Sequence, residues 1–211
     1  DLKKLIYLLR YRYGAEKKIY LLAHSWGGLL APKFLQEADN QNMVSGWIQV
    51  DGAHNYPLND SLSREALIEA GKQELAAGRH TEEWQEIVDY CINNNPTGNR
   101  KVAKKINTYA NETDEYLAEV NDESPSQKER VKYLTRKYKY PQTTFLVNGI
   151  YNHLVGKIED QTYRENIAVG LDKITVPTLL LWGKYDYICP LGLMQEIEDN
   201  ISSTDVSTRV F

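Results

Sequence analysis

The chain has 211 residues, 42% of them hydrophobic and 26% charged, with a formal net charge of -4 at pH 7. That length allows one good hydrophobic core, or one domain with a substantial insertion, and the composition is that of a soluble globular protein. The acidic balance gives no general pull toward nucleic acid, and no run approaches the ~20 apolar residues that span a bilayer.

Leu2, Leu5, Ile6 and Leu9 fall at i, i+3, i+4 and i+7, opposite Lys3, Lys4, Tyr7 and Arg10. This spacing predicts a helix over roughly residues 2–12, ended by Gly14. Its lysines interrupt any apolar stretch, so it is not a signal sequence. No Met opens the chain, so the true N-terminus is expected upstream, which leaves a signal peptide open. A soluble protein is expected, cytoplasmic in preference.

Ile19-Tyr20-Leu21-Leu22-Ala23 has the length and the β-branched and aromatic content of a strand buried on both faces. After a turn at 24–27, Leu29, Leu30 and Phe34 predict a helix in which Pro32 leaves one backbone bond unmade. Gly46-Trp47-Ile48-Gln49-Val50 is the next strand. Alternating strands and helices build a parallel sheet through right-handed crossovers, so the fold class is α/β.

From about Asn55 to about Asp172 that rhythm stops, leaving helical patterns and turn signals. The chain therefore divides into 1–54, a helical insertion at 55–172, and 173–211. Within the insertion, Glu65 to Ala77 reads as a helix closed by Gly78, and Thr81-Glu82-Glu83 as an N-cap and acidic first turn ahead of Trp84, Ile87 and Val88. Ser124-Pro125-Ser126-Gln127 is a further helix start, before Val131, Leu134 and Tyr138. The basic residues crowding that helix, Lys128, Arg130, Lys132, Arg136, Lys137 and Lys139, read as a solvated face. Thr175 to Trp182 is a strand entered through Pro177, Leu191 to Ile197 a helix, and Val206 to Phe211 the start of one more strand. Two cysteines, Cys91 and Cys189, have neither metal-ligand spacing nor the density of a disulfide framework. No metal site and no cofactor are expected.

The chemistry concentrates in Ala23-His24-Ser25-Trp26-Gly27-Gly28, set between a strand and a helix. A nucleophile elbow is a tight, strained turn that lifts a serine Oγ clear of the sheet and admits only small residues two positions either side. Ala23 and Gly27 meet that condition. The helix that follows points free backbone donors at the site, and the N–H of Trp26 is placed to bind a developing oxyanion.

Here the sequence resembles the α/β-hydrolases, in the capped branch that includes prolyl aminopeptidases, epoxide hydrolases and many esterases. Ala-His-Ser-Trp-Gly-Gly is similar to the Gly-His-Ser-x-Gly-Gly of that branch, with Ala23 a departure. Val176-Pro177-Thr178-Leu179 through Gly183-Lys184-Tyr185-Asp186, closed by Pro190, is similar to the stretch holding the family's acid. The resemblance implies a partial α/β-hydrolase fold with a helical cap, Ser25 as nucleophile and Asp186 as the acid that orients a histidine. Asp51 is a second candidate acid, since some members keep it after the preceding strand.

In the family the order is Ser, acid, His, and no histidine follows Asp186. His24 precedes the nucleophile and is expected to point away from it. His54 is a candidate for the pocket wall or for the base, whereas His80 and His153 belong to the insertion. The closing Ser-Thr-Arg-Val-Phe is similar to the start of the strand whose following loop carries the family histidine. The resemblance thus implies a fragment lacking the N-terminal strands and that histidine.

The implied activity is cleavage of an ester or amide through an acyl-enzyme, on a small-molecule or short-peptide substrate, with the 211 residues themselves nearly inactive. The alternative is a non-catalytic binding or receptor protein on the same scaffold. Neither nucleic acid nor membrane is expected as a partner. In the family's strand order Ile19 to Ala23 is an uncovered sheet edge, which predicts homo-oligomers through it.

Overall fold

The computed structural model of the chain describes residues 1–120 and 162–211. Among these residues one sheet is present, with strands β1 (Tyr20–Ser25), β2 (Gly46–Gly52), β3 (Thr178–Trp182) and β4 (Val206–Val210) side by side in that order and all parallel. Parallel neighbours need a crossover between them. Helices α2 (Gly27–Leu35) and α3 (Ala38–Gln41) lie between β1 and β2 in the chain. Between β2 and β3 lie α4 (Tyr56–Ala76), α5 (Thr81–Asn93) and α6 (Arg100–Val120), and α7 (Gly192–Asn200) follows β3. The α/β class and its parallel sheet are therefore found as the sequence implies.

Two apolar clusters hold these elements. One lies at the sheet, where Leu35, Trp47, Leu180, Trp182, Leu193 and Ile197 are buried together with Ile6 from α1 (Leu2–Tyr13). The other joins α4, α5 and α6 through Leu67, Trp84, Ile87, Cys91, Ile106 and Tyr109. Side chains of this size each contribute roughly 1.5–3 kcal/mol when removed from water. In the second cluster Gly71 lets α5 approach α4, because a Cβ there would meet Val88 Cγ2 and stand 3.0 Å from Trp84 Cε3.

Several elements differ from the sequence reading. α4 starts at Tyr56 rather than near Glu65. Asn55 caps it by accepting from the Leu58 N–H at 3.3 Å, Pro57 sits in the first turn, and its early inward positions are the polar Asn59, Asp60 and Ser63, which disguise the helical period. Thr81 is not the cap of α5. That place belongs to His80, whose φ of 44° is left-handed. The reason lies upstream: Gly78, at φ 70°, closes α4 with Gly78 N–H donating to the Leu75 carbonyl and Arg79 N–H to that of Glu74, and the chain turns at once into α5.

The apolar stripe expected of α1 is only partly covered. Ile6 is buried and Leu2 packs against the same core, but Leu5 is exposed, as is Leu8 outside that stripe, and Arg10 donates to the Met43 carbonyl at 3.1 Å. β1 is an edge strand among the described residues. Tyr20 and Leu22 of β1 are exposed as well. The predicted helix start at Ser124-Pro125, its basic face and His153 lie outside the described residues.

Candidate active site

Ser25 ends β1 with φ 52°, a left-handed backbone that a non-glycine residue adopts only under constraint. The constraint is visible on both sides. The Ser25 carbonyl accepts from the Ala53 N–H at 3.1 Å, and Trp26 enters helical conformation directly, at φ -57° and ψ -28°, as the residue before α2. A Cβ on Gly27 would stand 3.7 Å from that of Ala23, so a larger branch at either position would collide. Gly28 has no room for a Cβ, which would fall 2.5 Å from Gly52 Cα and from Gln49 Nε2. That closeness brings the first turn of α2 against the end of β2, where Gln49 Nε2 donates to the Gly28 carbonyl at 3.4 Å. The first N–H groups of a helix have no partner within it, so the Trp26 end of α2 offers donors beside Ser25.

β1, β2 and β3 are parallel neighbours, so Ser25, Asp51 and the Gly183–Asp186 turn share one end of the sheet. Ser25 and that turn are two strand spacings apart, about 10 Å. Asp186 closes the turn after β3: its Oδ1 accepts from the N–H groups of Ile188 and Cys189, each at 2.8 Å, and its own N–H donates to the Gly183 carbonyl at 3.3 Å. The indole of Trp182 donates to the Cys189 carbonyl at 2.7 Å and fixes the loop's far side. Asp51, at φ 42°, accepts the Gly183 N–H on Oδ1 at 2.8 Å. Burial, with the nearby charges of Asp186 and Asp51, pushes the Cys189 thiol well above its ordinary range.

The histidines are placed differently. His24 is exposed on β1, where its backbone pairs with Val50. His54 is fully buried, with Nε2 2.8 Å from Glu196 Oε2 on α7, so no ring atom of His54 meets solvent. Among the described residues its buried Nδ1 has no partner, which favours the tautomer that donates from Nε2. Glu196 also accepts from Asn55 Nδ2, at 2.9 and 3.1 Å. Around the same point the His54 carbonyl accepts from Ile167 N–H, the Glu165 carbonyl accepts from Tyr56 N–H, and Asn55 bridges Asn166 in antiparallel fashion.

Sequence reasoning did not single out Glu196, because a Glu on an amphipathic helix carries no signal of a buried partner. It also missed Asp60, a largely buried carboxylate on α4 whose pKa burial pushes up to about 7. Among the described residues no cluster suited to a metal ion occurs, and no helix is long and apolar enough to cross a membrane.

No protein-family model matches this sequence, and no curated protein matches it either. Solved structures do match in fold. The esterase of Exiguobacterium antarcticum aligns over 100% of this chain and 62% of its own, at 19% identity and a TM-score of 0.51. The proline iminopeptidase of Mycobacterium smegmatis aligns over 100% of this chain and 62% of its own, at 14% identity and a TM-score of 0.49. An α/β fold family hydrolase of Bacillus anthracis str. Sterne aligns over 100% and 66%, at 20% identity and a TM-score of 0.47. The chain thus spans about two thirds or less of the length of these structures. With its four parallel strands, its helical segment between β2 and β3, and this similarity to the Exiguobacterium esterase, the chain has a partial α/β-hydrolase fold.

Proposed function

We propose that the chain carries the nucleophile and the acid of a serine hydrolase that cleaves esters or amides through an acyl-enzyme. The observation that supports this most is Ser25 at φ 52°, standing between β1 and the donor end of α2. In this reading Ser25 Oγ attacks the carbonyl carbon and its proton passes to a histidine base. The Trp26 N–H stabilises the oxyanion, and the leaving group departs with the proton that the base returns. Water then repeats the sequence on the acyl-serine. Asp186 orients the base and stabilises its cation.

None of the histidines follows Asp186, and His54 is bound to Glu196, so the 211 residues alone turn over little substrate. Residues 55–172 act as a lid over Ser25, with 1–54 and 173–211 as the catalytic body. The pairing of residues 54–56 with 165–167, where the chain leaves and re-enters the body, favours that division. The substrate is a small ester or a short peptide, and no cofactor takes part.

A fluorophosphonate probe tests the reading. Ser25 is expected to label slowly, to label faster when imidazole supplies the missing base, and not at all in Ser25→Ala. No labelling of Ser25 even in imidazole would remove the serine mechanism and leave a binding protein on the same scaffold, whereas rapid labelling without imidazole would show that a base within the 211 residues activates Ser25.

A further inference from the structure

The β2–β3 ladder ends at the pair Val50 and Leu181, yet the turn that carries Asp186 begins two residues later, at Gly183. What continues the connection is a side chain. On its other edge β2 pairs with β1 as His24 with Val50 and then Ser25 with Gly52, so Asp51 is the residue the register skips. A skipped residue bends its strand and re-aims its side chain. Here it has φ 42° and its Oδ1 accepts the Gly183 N–H at 2.8 Å. Gly183 is close to both acids: a Cβ on it would stand 3.5 Å from the Asp186 Cβ and 3.8 Å from Asp51 Oδ1.

We propose that Asp51 is a positioning residue for the acid, clamping the Gly183 N–H so that the Gly183–Asp186 turn is held against the end of β2. The proposal rests on the reading of Asp186 as the acid. It replaces the view of Asp51 as a substitute acid with a role that needs its shape and its acceptor oxygen. Both requirements select the residue type. Among non-glycine residues Asn and Asp adopt left-handed backbone most readily, and both offer an oxygen one carbon beyond Cβ. Gly accepts the backbone but has no oxygen, and Ala lacks both properties.

Those differences define the experiment, done on the 211-residue chain with Asp51→Asn, Asp51→Gly and Asp51→Ala. The first readout is hydrogen exchange at the Gly183 amide. Loss of a bond to a charged acceptor is expected to speed exchange about tenfold or more in the Gly and Ala variants, while Asn stays within about fivefold of wild type. The second is the imidazole-dependent rate at which fluorophosphonate labels Ser25. In that step the Oγ–P bond forms, fluoride leaves and imidazole takes the serine proton. The rate is expected to fall about tenfold in Gly and Ala and to be restored by Asn.

Wild-type exchange in Asp51→Gly would overturn the clamp, and so would labelling in Asp51→Asn as slow as in Asp51→Ala, which would assign the carboxylate's charge the decisive part. The Gly variant keeps the test valid where Ala fails to fold. Fast Gly183 exchange in Asp51→Gly, together with no labelling of wild type in imidazole, would uphold the clamp and refute the serine mechanism.

Discussion

Glu196→Ala is expected to loosen the point where the helical segment joins the sheet. The Glu196 carboxylate receives His54 Nε2 at 2.8 Å and Asn55 Nδ2 at 2.9 and 3.1 Å, so truncation strands two donors, one on a fully buried ring. Bonds to a charged acceptor contribute ~1.5–3 kcal/mol each. The Glu196 side chain is 20% exposed, so water replaces part of what is lost and the lower value applies. Two donors then give a loss of about 3 kcal/mol, or ~6–12 °C in Tm for a chain of this size.

Thermal unfolding followed by circular dichroism at pH 7 measures this, and Asn55→Asp supplies the control. Asp caps a helix as well as Asn does, so a role confined to the cap of α4 would leave stability unchanged. If the bonds to Glu196 matter, Asn55→Asp sets two carboxylates against each other and is destabilised by a similar amount. Glu196→Ala within about 0.5 kcal/mol of wild type, or Asn55→Asp equal to wild type, would show that these bonds do not hold the junction. Acid gives a second check. Burial pushes the Glu196 pKa up, but the bonds from His54 and Asn55 outweigh it and hold the group below its ordinary 4.5. A lowered folded pKa stabilises above the unfolded value, and that contribution disappears as pH falls through the folded one. The gap between wild type and Glu196→Gln is therefore expected to close below pH 4.5.

Three further outcomes are expected. Gly28→Ala drives a Cβ to 2.5 Å from the Gly52 backbone, and urea titration is expected to show a loss of roughly 1–3 kcal/mol, although alanine is the better helix former. Asp60 has the opposite sign to Glu196, because burial alone raises its pKa from 3.8 to about 7 and the folded state keeps a proton that the unfolded state has released. Wild-type stability is expected to fall as pH rises between those values, by a few kcal/mol at ~1.4 kcal/mol per unit, while Asp60→Asn flattens the curve in denaturation series from pH 4 to 8. Finally, if β1 pairs with a second copy, Leu22→Lys, at a position 68% exposed on that edge, is expected to lower the concentration dependence of light scattering. No concentration dependence in wild type would refute the pairing.

The parallel sheet was legible because short apolar runs such as Ile19-Tyr20-Leu21-Leu22 and Leu179-Leu180-Leu181-Trp182 lie in two separated blocks with helical spacing between them. The turn at Ser25 was legible because Ala23 and Gly27 bracket a serine between a strand pattern and a helix pattern. The first turns of α4 were hidden: there the inward side chains are Asn59, Asp60 and Ser63, and hydrophobic periodicity has no purchase on a buried polar face. The partnership of His54 with Glu196 was hidden for a different cause. The two are separated by 142 positions, and the pairing exists only once α7 has packed across the end of β2.

The same limit applies to Asp51. In the sequence it is an aspartate before a glycine, a common turn signal, and nothing local distinguishes an acid from a clamp. The proposed clamp rests on the neighbouring strands. β1 ends in a left-handed Ser25, and the register shift beside it is taken up on β2 by the skipped Asp51. The left-handed turn at Ser25 and the reach of Asp51 to Gly183 are then two consequences of one irregularity, which couples the end of β1 to the turn that holds Asp186.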